Sequence, residues 1–287
     1  MADELTVVIP THNRRDILRA TLERLVPPPP GVQVLVFCDA CTDGTEPMVR
    51  EEFPGVRLIS SSEKLGHSVA RSCAFASCET EFILSIDDDS WPMDASYARI
   101  IVEAFVRWPH AAFLASSIYD ARHPEGAAPA GEDPYRVRNF VGCGFAVRTK
   151  VFSELGGFRS FFQYGGEELE IALRAHALGW EIMFLPSWRI FHDRTPVNRD
   201  EYEMIRSGFG NNLSSCFLNE PAWICGPHLA RLSFKGFAHA ARRGHWKAPL
   251  AAWKEFLARI PRLLDQRKPL PTAAVLSWHR LKSCPPA

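Results

Sequence analysis

The chain has 287 residues, 46% of them hydrophobic, and its 33 basic and 33 acidic residues leave no formal net charge. This size and composition can bury a sizeable core and fit one large domain, or one domain with an extension. No apolar run reaches the roughly 18–20 residues of a membrane span, the start at Asp3-Glu4 is unlike a signal peptide, and the eight scattered cysteines read as reduced thiols of a cytosolic protein.

Leu5–Ile9 is a β-rich apolar run ended by Pro10 and the turn-prone Thr11-His-Asn13. Ile17, Leu18, Leu22 and Leu25 then share one helical face until Pro27–Pro30 stops the pattern. Val32–Phe37 reads as a second buried strand ending at Asp39, Asp43-Gly44-Thr45 as a turn, and Glu46–Phe53 as a short helix. Val56–Ser60 is a third strand and Ser68–Ser77 a small-residue helix. Glu81–Ile86 is a fourth strand that runs straight into Asp87-Asp88-Asp89. Tyr97–Trp108 reads as a helix and Ala111–Ser116 as a strand. The stretch Ala121–Asp133, rich in Pro, Gly and Ala, predicts a surface loop. Beyond it come the apolar run Phe140–Val147, a turn at Gly156-Gly157, a helix from about Glu167 to Leu178, and a mostly helical segment past Asp200.

Strand alternating with helix predicts a mostly parallel sheet covered on both faces. Ligands of such sheets bind beyond the carboxyl ends of the strands. Thr11, Asp39 and Asp87–Asp89 all follow strands, so three polar sites converge on one edge.

Three adjacent aspartates at the end of a buried strand repel one another and call for a positive partner. A hard divalent cation, manganese or magnesium, satisfies them and bridges a carboxylate to a diphosphate. Taken alone, the triplet equally suits an acidic loop or a helix start, since Ser90 and Asp94 are cap residues. Cys38-x-x-Cys41 has no second pair at matching spacing, so zinc or redox chemistry is not expected of the cysteines. Gly142-Cys-Gly144 lacks the third glycine of a dinucleotide fingerprint.

A series of short stretches then bears on function: Val8-Ile-Pro-Thr-His-Asn-Arg14; Asp39-Ala-Cys-Thr-Asp-Gly-Thr45; Gly66 through Ala70-Arg71; Ile86-Asp-Asp-Asp89 with Pro92; Leu155-Gly-Gly-Phe158; Gly166-Glu-Glu168 with Arg174 and Gly179-Trp180; and Pro186 through His192. Together, over roughly residues 5 to 195, they resemble family 2 glycosyltransferases of the GT-A fold, in that family's order and near its spacing. Each match is weak, and the ordered set is specific.

The resemblance implies an α/β fold of GT-A type, a single Rossmann-like sheet flanked by helices. The catalytic domain would span 1–200, with a nucleotide-binding half at about 1–117 and an acceptor half at about 137–200. Residues 201–287 would form a mostly helical basic extension. Pro10, Thr11 and Arg14 would line a nucleotide pocket, Asp39 would accept a hydrogen bond from a uracil or thymine base, and Arg71 would lie near the diphosphate or base. Asp87 and Asp88 would contact the donor, while Asp89 and His192 would bind the metal. Lys64 stands where the family usually has Asn and could pair with a phosphate or with solvent. Cys38 stands at a usually acidic position.

Sugar transfer to a hydroxyl needs a base. The resemblance gives that task to the Glu167-Glu168 pair, with Glu168 as the base where the family usually has a shorter Asp. Acidic residues also suit a helix N-terminus, and both roles can coexist. Gly165-Gly166 would let an acceptor approach the backbone. The implied reaction is inverting transfer of a sugar from a nucleoside-diphosphate sugar (UDP- or dTDP-sugar favoured) to a hydroxyl of a saccharide or lipid-linked acceptor, as in polysaccharide biosynthesis. A sugar-phosphate nucleotidyltransferase is the alternative, but Pro10-Thr-His-Asn-Arg14 is not the Gly-rich basic loop of such enzymes. A transferase-like binding protein without catalysis is disfavoured by the intact Asp88, Asp89, Glu168 and His192.

Residues 227–287 carry 12 Lys/Arg against 2 Asp/Glu, so this tail is +10 and residues 1–226 are −10. The tail either pairs with the acidic body or meets an anionic surface at the inner face of the plasma membrane. The aromatics Trp223, just before it, and Phe234, Trp246 and Trp253 within it are expected to pack on the catalytic domain, and its charges to face anionic lipid. No nucleic-acid partner is expected.

Overall fold

A computed structural model describes residues 4–121, 133–162, 164–195, 197 and 200–285. Positions 122–132 of the expected surface loop lie outside the described residues. A sheet runs in the order β3-β2-β1-β4-β8-β6-β9-β5, where β1 is Leu5–Thr11, β2 Val32–Asp39, β3 Arg57–Ser61, β4 Phe82–Ile86, β5 Ser90–Pro92, β6 Ala111–Tyr119, β8 Gly144–Arg148 and β9 Glu181–His192; β7, Tyr135–Val137, pairs with β9 off this path. Strands β3, β2, β1 and β4 are parallel, β8 is antiparallel to both β4 and β6, and β6 and β9 run parallel. The mostly parallel α/β sheet flanked by helices is therefore present.

All seven residues of β1 are buried, as expected of a strand covered on both faces. Val7 and Ile9 point into one apolar core and Val8 into the other. Helices α1 (Arg15–Leu25), α2 (Thr45–Glu52) and α4 (Tyr97–Arg107) close the first core through Leu18, Leu22, Met48, Ile101 and Phe105. Helices α3 (His67–Ala76), α5 (Thr149–Glu154) and α6 (Glu167–Ala177) close the second through Ala74, Phe75, Phe152 and Ile171.

Strand β1 runs two residues beyond the expected Leu5–Ile9, because Pro10 and Thr11 stay paired with Phe37 and Cys38 of β2. The sequence pattern gave no sign of β5, β7 or α5, which are too short to show a period. Strand β9 contains Pro186, and the pairing to β6 jumps from Leu185 to Arg189, so the proline sits in a bulge that needs no ladder hydrogen bond. Its far end pairs with β5, matching His192 to Ser90. That register brings the histidine beside the aspartates.

Past Asp200, whose side chain caps the next helix by accepting from Glu203 N–H, come α7 (Glu201–Asn219), α8 (Ala222–Arg242), α9 (Lys247–Gln266) and α10 (Thr272–Arg280). Phe209 and Leu213 of α7 meet Ala252 and Phe256 of α9. Helix α10 lies on α6 through Val275, Trp278 and Leu173.

The expected packing of the tail's aromatics needs correction. Trp223, Phe234 and Trp246 are 62%, 78% and 56% exposed, and only Trp253 packs, edge-on to Phe256. The inward stripe of α8 is Cys225, Leu229, Leu232, Gly236 and Ala240, at helical spacing. At Gly236 an added Cβ would lie 2.5 Å from the Phe209 ring. With that face occupied, Phe234 is turned to solvent.

Candidate active site

In the strand order the chain reverses direction across the sheet between β1 and β4, the place where doubly wound sheets leave a crevice. A cavity of about 500 Å³ opens there, lined by Pro10, Thr11, Arg14, Asp39, Lys64, Asp87 and Asp88 among others. Arg71 is absent from its lining. The side chain is fully buried, with one guanidinium nitrogen 2.8 Å from Asp87 Oδ1, so it supports the aspartate from behind. His12 and His67, which lie inside the matched stretches without an assigned role, and Tyr164 also line the cavity.

Asp39 is the last residue of β2, and its two oxygens accept the N–H groups of Leu65 and Gly66 at 2.7 and 2.9 Å. The carboxylate thus ties down the loop that presents Lys64, and each oxygen retains a second lone-pair direction. Three non-glycine residues with left-handed backbone, Asn13, Ala40 and Arg194, stand within this site or next to a residue that lines it. Strained backbone of this kind collects at functional sites.

The aspartates divide their contacts. Asp88 takes Thr11 Oγ1 at 2.7 Å and Arg14 at 2.5 Å, and the other Arg14 nitrogen reaches Asp89 Oδ2 at 2.9 Å. Thr195 adds its N–H and hydroxyl to the same Asp89 oxygen, and Arg14 also bonds Thr195. His192 Nε2 lies 3.2 Å from Asp89 Oδ1. Burial, aided by the neighbouring carboxylates, pushes Asp88 up to about 7 in spite of Arg14 and Thr11. Burial also works against ionised Asp87, but the charges of His67, Arg71 and His192 outweigh it and hold that carboxyl below its usual range.

Asp87, Asp89 and His192 offer ligand atoms that all lie within 4.8 Å of one another. Two carboxylate oxygens and an imidazole nitrogen suit manganese or magnesium. The donor set therefore fits a divalent cation, and it includes Asp87 beside the expected Asp89 and His192.

A second cavity of about 280 Å³ adjoins the first, sharing His67, Asp87 and Tyr164 with it and reaching Glu167, Glu168 and His192. Both glutamates stand in the first turn of α6, behind Gly165 and Gly166 at φ +73° and +87°. Helix α7 makes the close approach to these glycines: a Cβ on Gly166 would lie 3.2 Å from Asn211 Cβ. Burial, and then repulsion from Glu168, raises Glu167 to about 8, and burial raises Glu168 as well. Across the cavity, a Cβ at Gly142 would lie 2.4 Å from Glu168 Oε1, so the glycine keeps that carboxylate's place open.

A mostly parallel sheet with a carboxylate set that fits a cation at its switch point and a second acidic pair facing it is the architecture of GT-A glycosyltransferases. The chain belongs to glycosyl transferase family 2, whose model matches residues 6–163. It is 23% identical over 225 residues to the O-antigen biosynthesis protein RfbC of Myxococcus xanthus, a match covering 68% of this chain and 18% of that one. It is 24% identical over 243 residues to an N-acetylglucosaminyl-diphospho-decaprenol L-rhamnosyltransferase of Mycobacterium tuberculosis, covering 68% and 77%. The chain thus spans under a fifth of RfbC and about three quarters of the rhamnosyltransferase. Among solved structures, the mannosyltransferase PcManGT of Pyrobaculum calidifontis in complex with GDP-Man and Mn2+ shares the fold at a TM-score of 0.62 and 18% identity, over 96% of this chain and 79% of that one.

Proposed function

We propose that the protein transfers a sugar from a nucleoside-diphosphate sugar, with inversion, to a hydroxyl of a saccharide or lipid-linked acceptor. The observation that carries this reading is the junction of the two cavities at Asp87: a donor seated in the larger one presents its diphosphate and sugar where the smaller one holds Glu168. The acceptor oxygen attacks the anomeric carbon and passes its proton to the Glu168 carboxylate. The bond from that carbon to the diphosphate breaks, and its electron pair leaves with the phosphate. Asp87, Asp89 and His192 would hold a divalent cation, which when bound would supply charge neutralisation for the leaving group. Arg14 fixes Asp88 and Asp89 as a unit, and Asp39 with the Leu65–Gly66 backbone shapes the base pocket. The raised proton affinity of Glu168 makes it a stronger base than an exposed glutamate.

A uracil or thymine base remains the favoured donor base. The names of the relatives, which include an O-antigen protein and a decaprenol-linked rhamnosyltransferase, support a glycan or lipid-linked acceptor. The test is a thermal-shift screen of nucleoside diphosphates and their sugars, with and without manganese. A donor that stabilises only with metal supports the reading, and no response to any donor overturns it.

The tail belongs to the same proposal. Among the described residues no helix is long and apolar enough to cross a membrane. Exposed Phe234 and Trp246 stand among the basic residues of the +10 segment and exposed Trp223 just before it, a composition that lies on anionic surfaces. The enzyme would then work on the cytoplasmic face of the plasma membrane. Replacing all three aromatics with Ala should weaken sedimentation with phosphatidylserine vesicles at least tenfold; unchanged partitioning removes the membrane reading.

A further inference from the structure

Where α7 gives way to α8, five metal-ligating side chains from three helices and their junction gather in a place the transfer reaction does not use. Cys216 is in the last turn of α7, Glu220 is its C-cap, Cys225 and His228 are in the first two turns of α8, and His279 is in the last turn of α10. Ligand atoms of Cys216, Glu220 and His228 lie within 4.8 Å of one another. Cys225 Sγ is 3.7 Å from Cys216 Sγ. His228 Nδ1 and His279 Nε2 meet the same Glu220 oxygen at 2.8 and 3.0 Å.

Both thiols are free, and their separation is far beyond a disulfide's ~2.05 Å. It is close to the edge of a tetrahedron built on Zn–S bonds of ~2.3 Å, which is about 3.8 Å. Cys216, Cys225 and Glu220 are 3%, 5% and 1% exposed, while the side chains of His228 and His279 keep 22% and 25%, so a cation can reach the cluster from solvent. Cys225-x-x-His228 also has the short ligand spacing of zinc sites.

We propose that Cys216, Cys225, Glu220 and His228 bind a structural zinc ion, with His279 hydrogen-bonded to Glu220 as its outer partner. Binding displaces the thiol protons of Cys216 and Cys225 into solvent. The chemistry separates this site from the one beside β4: thiolate and imidazole select zinc, whereas the oxygen-rich Asp87–Asp89 set suits a harder cation. The zinc would staple α7 to α8 and, through His279, to α10. Its neighbour Asn219 donates to Glu170 Oε1 at 3.2 Å, and α10 rests on Leu173. Both contacts are on α6, the helix that carries Glu168. The site thus locks the C-terminal helices against the element that positions the base.

The test uses the full chain, purified with reductant and stripped of metal, then titrated with zinc or cobalt alone. One equivalent of zinc should bind and raise Tm by about 5–10 °C at a hundredfold excess over Kd. The cobalt form should show thiolate-to-metal charge transfer and tetrahedral d–d absorption. Cys216→Ser and His228→Ala should lose both signals, and Asp89→Asn should keep them. No thiolate–cobalt absorption in the folded wild-type chain overturns the proposal, whether or not the variants fold. So does equal zinc retention by Cys216→Ser, or a Cys216–Cys225 disulfide in protein isolated without oxidant.

Discussion

Asp87–Asp89 and Glu167–Glu168 are both runs of adjacent carboxylates, the first after β4 and the second opening α6, and both face the same pair of joined cavities. Their surroundings differ. The aspartates are held by Arg14, Arg71, His67, His192 and Thr195, and Asp87 ionises more readily than usual in spite of its burial. The charge of Arg71 acts on both glutamates, but desolvation outweighs it, so both hold their protons more tightly than usual. Cationic company therefore holds Asp87 ionised for a metal and a diphosphate, whereas burial prevails at Asp88, Glu167 and Glu168, and at the glutamates it readies a group to take a proton.

Replacing the base should break this division most severely. Glu168→Gln keeps the shape and removes the proton acceptor, and turnover should fall about 10²–10⁴-fold with donor affinity unchanged, measured by product formation beside calorimetric donor binding. Normal turnover would end the base assignment.

On the aspartate side, Asp89→Asn at a buried position leaves half-buried Arg14 with a weakened partner. Stability should fall by about 3 kcal/mol in urea unfolding, and the manganese-dependent part of the donor thermal shift should vanish. A variant that still responds to manganese would move the metal off this residue.

Titration sharpens the contrast further. Folding raises Glu167 from 4.5 to about 8. Its contribution to stability is therefore complete below about pH 4.5 and is lost as pH rises through about 8. Glu167→Gln should show a flatter stability profile than wild type across that window, read from urea midpoints. Turnover should run the other way and rise with pH above the ordinary glutamate range, as the Glu168 carboxylate becomes available.

The smallest effect is expected at Lys64, which is exposed at the rim of the donor cavity. Lys64→Ala should weaken donor binding about two- to fivefold at low salt and less at high salt, because a solvated charge contributes little.

Much of the site could be read before the fold was in view. Thr11, Asp39 and Asp87–Asp89 stood out because each follows an apolar run, and the sheet does carry them to one edge. Glu168 was singled out through the family resemblance of its acidic pair, and at the glycines before it α7, rather than an acceptor, makes the close approach. Arg71 was read as a donor contact, and its complete burial behind Asp87 has no local signature. His67 and Tyr164, shared by both cavities, were missed for the same reason.

The sequence by itself determined the alternation of buried strands and amphipathic helices and the order of the polar strand ends. These are properties of neighbouring residues, set by periods of two and 3.6 along the chain. Tertiary structure alone decided which distant residues meet. His192 reaches Asp89 because β9 bulges at Pro186 and pairs with β5. Phe234 faces solvent because Gly236 lets α8 close on Phe209. Cys216, Cys225, His228 and His279 converge because three helices cross around Glu220. Each of these depends on how whole elements pack, and long-range packing energy is not written in any local window of the chain.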